Sequence, residues 1–129
     1  MTNAVQEGLK YTESHEWIRV EGNTAVIGIT DYAQDSLGDI VYVEMPEKGR
    51  SLSKGDEAVN IESVKVAESV YAPVSGSVKD VNPDLPDRPE LINKDPYGTF
   101  IYSIEMNDPS ELNSCMDAKA YKAFVDSTD

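Results

Sequence analysis

The residue in this chain best placed to carry chemistry is Lys65, in the stretch Glu62 to Gly76, ESVKVAESVYAPVSG. An apolar residue stands on each side of it, in Ser63-Val64-Lys65-Val66. Upstream, Ala58, Val59 and Ile61 form a short apolar run after the turn signal Lys54-Gly55-Asp56. Downstream, Val70 and Ala72 alternate with Ser69 and Tyr71 until Pro73 and Ser75-Gly76 break the run. Period-two alternation bounded by Gly, Pro and Ser marks two short strands joined by a tight connection, so Lys65 is predicted at or near a hairpin tip. Asn-Gly and Asp-Gly are both missing from the apex, so turn propensity alone did not choose these residues. A lysine on a tip is ordinarily a solvated charge. A catalytic amine would need burial or a neighbouring cation to depress its pKa, whereas Glu62 and Glu68 nearby favour the charged form. A point of covalent attachment on a stiff, accessible post is the better account.

Little else in the chain could do chemistry unaided. His15 and Glu16 are neighbours on a predicted strand, which puts them on opposite faces and makes them a poor acid–base pair. His15 is expected to be satisfied or solvated. The single cysteine, Cys115, leaves no intrachain disulfide, paired-cysteine redox motif or thiolate metal site; between Leu112 and Met116 it is expected at a half-buried helical position. Neither a phosphate-cradling glycine loop nor a metal-spaced cluster is present. The net charge of −13 argues against nucleic acid, which demands clustered Lys and Arg, and against anionic membrane surfaces. It permits steering toward basic faces of protein partners, or simply a solvated acidic surface. The opening MTNAVQEGLK has neither an apolar signal core nor an Arg-rich amphipathic pattern, and no run is long enough to cross a membrane. The expectation is a cytoplasmic chain, or one already processed, such as a mitochondrial matrix form.

The elements that must position Lys65 follow from the same reasoning. At 129 residues the chain fits one domain, 1–129, with a single core. Residues 1–10 read as a polar, loosely held arm. Tyr11 to Glu21 and Thr24 to Ile29 form a hairpin about Gly22-Asn23. Thr30-Asp31 offers a helix cap with Gln34 placed for a capping box from Asp31, Ala33 and Leu37 on the inner face, and Gly38 as the stop, giving a helix of about two turns. Asp39 to Glu44, apolar on both faces, reads as an interior strand. Ser77 to Val81 and Thr99 to Met106 are further strands, separated by a long ordered loop from Asn82 to Gly98 anchored by Leu85, Leu91 and Ile92. Asp108-Pro109-Ser110-Glu111 starts a helix, and Asp117 caps another with Tyr121, Phe124 and Val125 on one side. The pattern is mainly β, a sandwich or barrel-like fold of short antiparallel strands with a short internal helix and a helical tail.

The Glu62-Ser63-Val64-Lys65 tetrapeptide, followed by Ala72-Pro73-Val74-Ser75-Gly76, resembles the lipoyl-attachment signature of the H protein of the glycine cleavage system. The resemblance covers nearly the whole chain. Leu9-Lys10-Tyr11 and Ser14-His15-Glu16-Trp17 are similar to that family's opening. Gly28-Ile29-Thr30-Asp31, Ala33-Gln34 and Leu37-Gly38-Asp39 are similar to its strand–helix–strand step, and Glu90-Leu91-Ile92-Asn93 and Pro96-Tyr97 to its late loop. Three departures stand out. Val66-Ala67-Glu68-Ser69 carries the acid one place earlier than is usual. Gly98-Thr99-Phe100 is a residue shorter and has Phe where Trp is usual. Tyr32 stands where many relatives have histidine.

The resemblance implies a lipoyl-domain β core of two antiparallel sheets (a barrel-sandwich hybrid) extended by helices. It implies lipoic acid joined to the Lys65 amine by a lipoate ligase or lipoyltransferase, with Glu62, Ser63 and Val64 as the motif that enzyme recognises. Roughly ten or more bonds of about 1.5 Å would let such an arm reach well over 10 Å from the tip. The implied partners are glycine decarboxylase (P protein), aminomethyltransferase (T protein) and dihydrolipoyl dehydrogenase (L protein). They perform the bond-making while the carrier displays and protects. A loaded amine is cationic and labile in water, and the resemblance implies an arm docked against the opening strand, which makes Ser14 and Glu16 the candidate groove residues, with Glu16 pairing the amine. A biotin carrier would flank its lysine with methionines, where Val64 and Val66 stand. A lipoyl domain of a 2-oxoacid dehydrogenase would have Asp-Lys-Ala and an Ala/Pro linker. Two alternatives remain at this stage: an H-like protein relaying lipoyl groups to other enzymes, and a non-lipoylated acidic binding module.

Overall fold

The structure is a computed structural model that describes residues 4–128. Residues 1–3 of the predicted N-terminal arm, and Asp129, lie outside the described residues. The strands are β1 (Lys10–Tyr11), β2 (Glu16–Glu21), β3 (Thr24–Ile29), β4 (Ile40–Glu44), β5 (Ser51–Leu52), β6 (Glu57–Ser63), β7 (Ala67–Tyr71), β8 (Gly76–Val81) and β9 (Tyr102–Met106). The α-helices are α1 (Asp31–Leu37), α2 (Leu91–Lys94) and α3 (Ala118–Thr128), with a 3-10 helix over Pro109–Ser114. All pairing is antiparallel. One sheet runs β1-β2-β3-β9-β8-β5 and the smaller runs β4-β6-β7, so the expected mainly β, two-sheet architecture is present.

Local chemistry accounts for most of these elements. β2 and β3 pair from Glu16↔Ile29 to Glu21↔Thr24, closed by Gly22 with a φ of 61°, the positive value that a two-residue hairpin turn requires. Thr30 is the N-cap of α1, its side chain accepting from the Ala33 amide, while Gln34 Nε2 donates to Asp31 Oδ1. Gly38 ends the helix at a φ of 80° with its N–H on the Gln34 carbonyl, the conformation glycine adopts most cheaply. Asp108 caps Pro109–Ser114, but that turn is 3-10, and Cys115 follows it in an extended conformation instead of lying within a helix. The late loop contains α2 and buries Leu85 and Ile92 completely.

Two further expectations are corrected. The described part of the N-terminal arm is not loosely held: Leu9 is buried, and Lys10 pairs with Ile18 in β1. The stretch from Asp39 to Glu44 is not interior: β4 is the edge of the smaller sheet. Ile40 pairs with Ser63 and Tyr42 with Glu62, so one step on β6 spans two on β4 and Val41 is the extra residue of a bulge. The bulge turns Val41 and Tyr42 outward, 54% and 48% exposed, while Ile40 and Val43 enter the core. A simple alternation cannot reveal such a shift, because both registers place apolar residues on both faces.

The main core lies between the sheets and joins residues such as Ile18, Ile27, Val59, Ile61, Val74 and Ile104. A second cluster unites the two ends of the chain: Leu9, Tyr11, Trp17 and Val26 pack with Ala118, Tyr121 and Val125 of α3. A backbone bridge from Tyr11 to Met116 fixes that contact. Close packing is sharpest at Gly76, where an added Cβ would fall on the Glu105 carbonyl oxygen of β9. The backbone on which it would fall has no side-chain freedom to retreat. Gly76→Ala should therefore cost at least about 3 kcal/mol, the upper end for overpacking. Gly22→Ala, with open space around it, should cost only about 1 kcal/mol for its left-handed backbone. Denaturant unfolding of the two variants checks the order.

Candidate functional site

Lys65 stands at the apex of the β6–β7 hairpin, exposed together with Val64 and Val66. The apex is held without the positive-φ residues that two-residue hairpin turns normally use. Ser63 replaces them. Its backbone N–H donates to the Val66 carbonyl at 2.8 Å. Its Oγ accepts from the Val66 amide at 3.1 Å and the Lys65 amide at 3.3 Å, and donates to the Val66 carbonyl at 3.2 Å. A serine side chain satisfying local backbone donors is a common way to build a turn from ordinary φ values. The tip is also moored sideways: the Val64 amide donates to the Asp39 carbonyl at 3.0 Å.

That mooring places the lysine stem over the end of α1. A Cβ on Gly38 would lie 3.3 Å from Lys65 Cε. Asn93 of α2 fixes the floor beneath it. Its Oδ1 accepts from the Ile40 amide at 2.9 Å, and its Nδ2 donates to Gln34 Oε1 and to the Gly38 carbonyl, each at 2.9 Å. The late-loop segment singled out in the sequence thus joins α1, β4 and the hairpin base. Among the described residues no ion pair or hydrogen bond engages the Lys65 ammonium.

Beside the hairpin, a groove of about 310 Å³ runs between it and α1. Ala33 and Leu37 of α1 face Val66, Glu68 and Val70 across it, and Tyr32, Ser14 and His15 close one end. Ser14 lines this groove. Glu16, expected beside it as a surface carboxylate, is instead 1% exposed. Its Oε1 accepts from Thr12 Oγ1 at 2.5 Å and Ser14 Oγ at 2.7 Å, and its Oε2 from the Tyr71 amide at 3.2 Å. Burial pushes its carboxyl pKa up, while these three hydrogen bonds pull it down. The carboxylate lies behind Ser14, lining a second cleft of about 680 Å³ that also meets Lys54 and Cys115. Burial raises the Cys115 thiol pKa, while Lys54 and Lys10 pull it down.

Sequence reasoning missed His15 as a site residue. It has a φ of 70° and its Nδ1 lies 2.8 Å from the Tyr121 hydroxyl, which is 2.7 Å from Thr30 Oγ1. Its ring rests on Tyr32 at 4.6 Å. Burial lowers its pKa. A partner 106 residues away leaves no local signal.

Among the described residues no cluster of His, Cys, Asp or Glu is placed to hold a metal, and no helix is long and apolar enough to cross a membrane. An exposed lysine on a moored post, beside an apolar groove, is the layout of a carrier domain with a covalent arm. Comparison with known proteins makes this specific. The Glycine cleavage H-protein family model matches residues 9–128, and the chain belongs to that family, the lipoyl carriers of the glycine cleavage system, which are carrier subunits and not catalysts. It is 53% identical over 122 residues to the glycine cleavage system H protein of Thermoanaerobacter pseudethanolicus, covering 95% of this chain and 97% of the relative. With that of Symbiobacterium thermophilum it shares 51% over 122 residues, covering 94% and 95%. The crystal structure of a glycine cleavage system H protein from Mycobacterium marinum superposes with a TM-score of 0.84 at 32% identity, over 92% of this chain and 97% of the other.

The role of Ser63 generates a test. Ser63→Ala should cost about 1 kcal/mol of stability, the net worth of a hydrogen bond. It should also make the Lys65 and Val66 amides exchange with solvent faster than the rest of the hairpin. Amide hydrogen exchange followed residue by residue measures this, and uniform exchange across β6 and β7 would contradict it.

Proposed function

We propose that Lys65 carries a covalently attached lipoyl group and that the chain, residues 1–129 acting as one carrier domain, presents this arm to the enzymes of glycine cleavage. The observation that carries the reading is the Lys65 post itself: a free ammonium on a tip whose turn is built by Ser63, with its stem over Gly38 and a groove alongside. Lipoic acid on that amine would supply a redox-active dithiolane as the carrying group for the aminomethyl unit. The enzymes that act on it are the decarboxylase, the aminomethyltransferase and the dihydrolipoyl dehydrogenase of the system.

The residues divide the work. Glu62, Ser63 and Val64 present Lys65 to a lipoate ligase or lipoyltransferase: Val64 is exposed apolar surface and Ser63 sets the turn. Ala33, Leu37 and Val66 offer apolar cover to an arm folded back into the groove. Ser14 supplies an acceptor at its end. The Ser14 and Thr12 hydroxyl hydrogens both point to Glu16, so a Ser14 lone pair is left for a cationic amine, with the Glu16 carboxylate behind it. Such shielding slows loss of the labile carbon to water. The acidic surface, at −13 overall, suits basic docking faces on the partners. The compartment this reading gives is the cytoplasm. The charge and the exposed tip serve equally an H-like protein that passes lipoyl groups on, and one chain can do both.

Intact-mass spectrometry after co-expression with a lipoate ligase tests attachment. Wild type should gain one lipoyl increment and Lys65→Arg none; a gain in both variants, or in neither, would remove the reading. Glu16→Ala should leave that increment unchanged but speed the hydrolytic release of the loaded amine several-fold, which a release assay on the isolated loaded carrier measures.

A further inference from the structure

We propose that Tyr121 is a positioning residue for the arm: through its hydroxyl, the C-terminal helix holds the neutral His15 ring as one wall of the groove, and protonation of that ring releases the wall. The inference rests on the reading that the groove holds the arm.

Hydrogen counting carries it. Thr30 Oγ1 accepts from the Ala33 amide at 3.2 Å as the N-cap of α1. Its own hydrogen therefore needs an acceptor, and Tyr121 Oη stands 2.7 Å away in a fully buried position. With that lone pair used, the Tyr121 hydrogen points to His15 Nδ1 at 2.8 Å. The chain Thr30 → Tyr121 → His15 then requires a bare Nδ1, so the imidazole is neutral with its hydrogen on Nε2. A second proton reverses every link. His15 would donate to Tyr121 and Tyr121 to Thr30, leaving the Thr30 hydrogen without an acceptor among the described residues. Buried hydroxyls avoid that state.

The chain adds a polar link to the aromatic contacts that already join α3 to this end of the groove. Tyr121 is anchored by stacking on Tyr11, centroids 4.5 Å apart and planes 8° apart, within the cluster that ties the chain ends together. His15 faces the groove, its ring against Tyr32 of α1 and Phe124 of α3. The charged groups around it sit elsewhere or are already engaged. Asp31 of α1 accepts from the Ala4 amide and Gln34, Lys122 of α3 is within 3.5 Å of Asp126, and Glu16 is bonded to Thr12, Ser14 and Tyr71. Glu68 of β7 lines the groove across from it, and Glu13 follows Thr12 on the exposed loop. Burial lowers the His15 pKa, in the direction the neutral chain requires. The sign follows: the unfolded chain takes the proton first, so this contribution to stability is complete above the ordinary histidine value of about 6.5 and falls as pH drops below it.

The test uses the full chain, and the sole histidine gives one imidazole signal. Tyr121→Phe keeps the stack and removes the hydroxyl. By nuclear magnetic resonance, wild-type His15 should be the Nε2–H tautomer and titrate below the ordinary value; in Tyr121→Phe the tautomers should mix and the midpoint should rise. Lipoylation of Lys65, confirmed by mass, should shift the wild-type ring signals. On the lipoylated, aminomethyl-loaded carrier, Tyr121→Phe should release its amine several-fold faster at mildly alkaline pH. The pH at which release accelerates should move with the imidazole midpoint. An altered tautomer with unchanged release rate and pH profile would overturn the positioning role. Ring signals unmoved by lipoylation would overturn the groove reading beneath it, and the two failures are told apart by mass and by spectrum.

Discussion

The site depends on the Ser63 hydroxyl. A hairpin closing on two β-branched or long-chain residues at ordinary φ cannot form the turn geometry that Gly or Asn would give. Ser63 supplies the missing acceptor within its own side chain, taking the Val66 and Lys65 amides. The consequence is a stiff apex on which a lysine, not a glycine, can occupy the most exposed place. The serine of the Glu-Ser-Val-Lys tetrapeptide therefore has a structural reason to be there, beside any reading of it by a modifying enzyme.

Rigidity beneath the tip matters as much as exposure at it. A carrier's arm samples a volume set by its own length only if its root stays put. Three elements hold the root: the Val64 amide on the Asp39 carbonyl, the Gly38 stop of α1 under the lysine stem, and Asn93 joining α1 to the start of β4. The last is a side chain from a loop 28 residues downstream of Lys65 by the chain numbering, which is why the late loop is ordered and not merely a connection. Its two buried anchors, Leu85 and Ile92, bring Asn93 to that place.

The hairpin was legible in the sequence because its signals are local: alternation, turn residues and a lysine between apolar neighbours. The ends of α1 were legible for the same reason, since Thr30 and Gly38 act within four residues of themselves, but the capping box expected from Asp31 does not form: Thr30 is the N-cap, and Gln34 bonds the Asp31 side chain. The bulge at Val41 was not, because DIVYVE reads identically in either register. Sheet order came only by resemblance, since β3 pairs with β9 across more than half the chain. Glu16 shows a subtler limit. Only the resemblance pointed it to the groove, and only the fold reveals that Thr12, Ser14 and Tyr71 surround its carboxylate. It serves Ser14 from behind in place of facing the groove itself.

His15 carries the same lesson to the chain's far end. A histidine just ahead of a strand, beside a glutamate, suggests nothing without Tyr121, and Tyr121 suggests only an apolar helix face without Thr30. Joined, they connect the last helix to the cap of the first. Tyr32 belongs to the same assembly, presenting a phenol ring 4.6 Å from His15. That ring adds no basic group at neutral pH and packs His15 against water. The groove's end is therefore set by one titratable ring whose protonation is opposed from both sides, by the hydroxyl chain at Nδ1 and by aromatic burial around its faces.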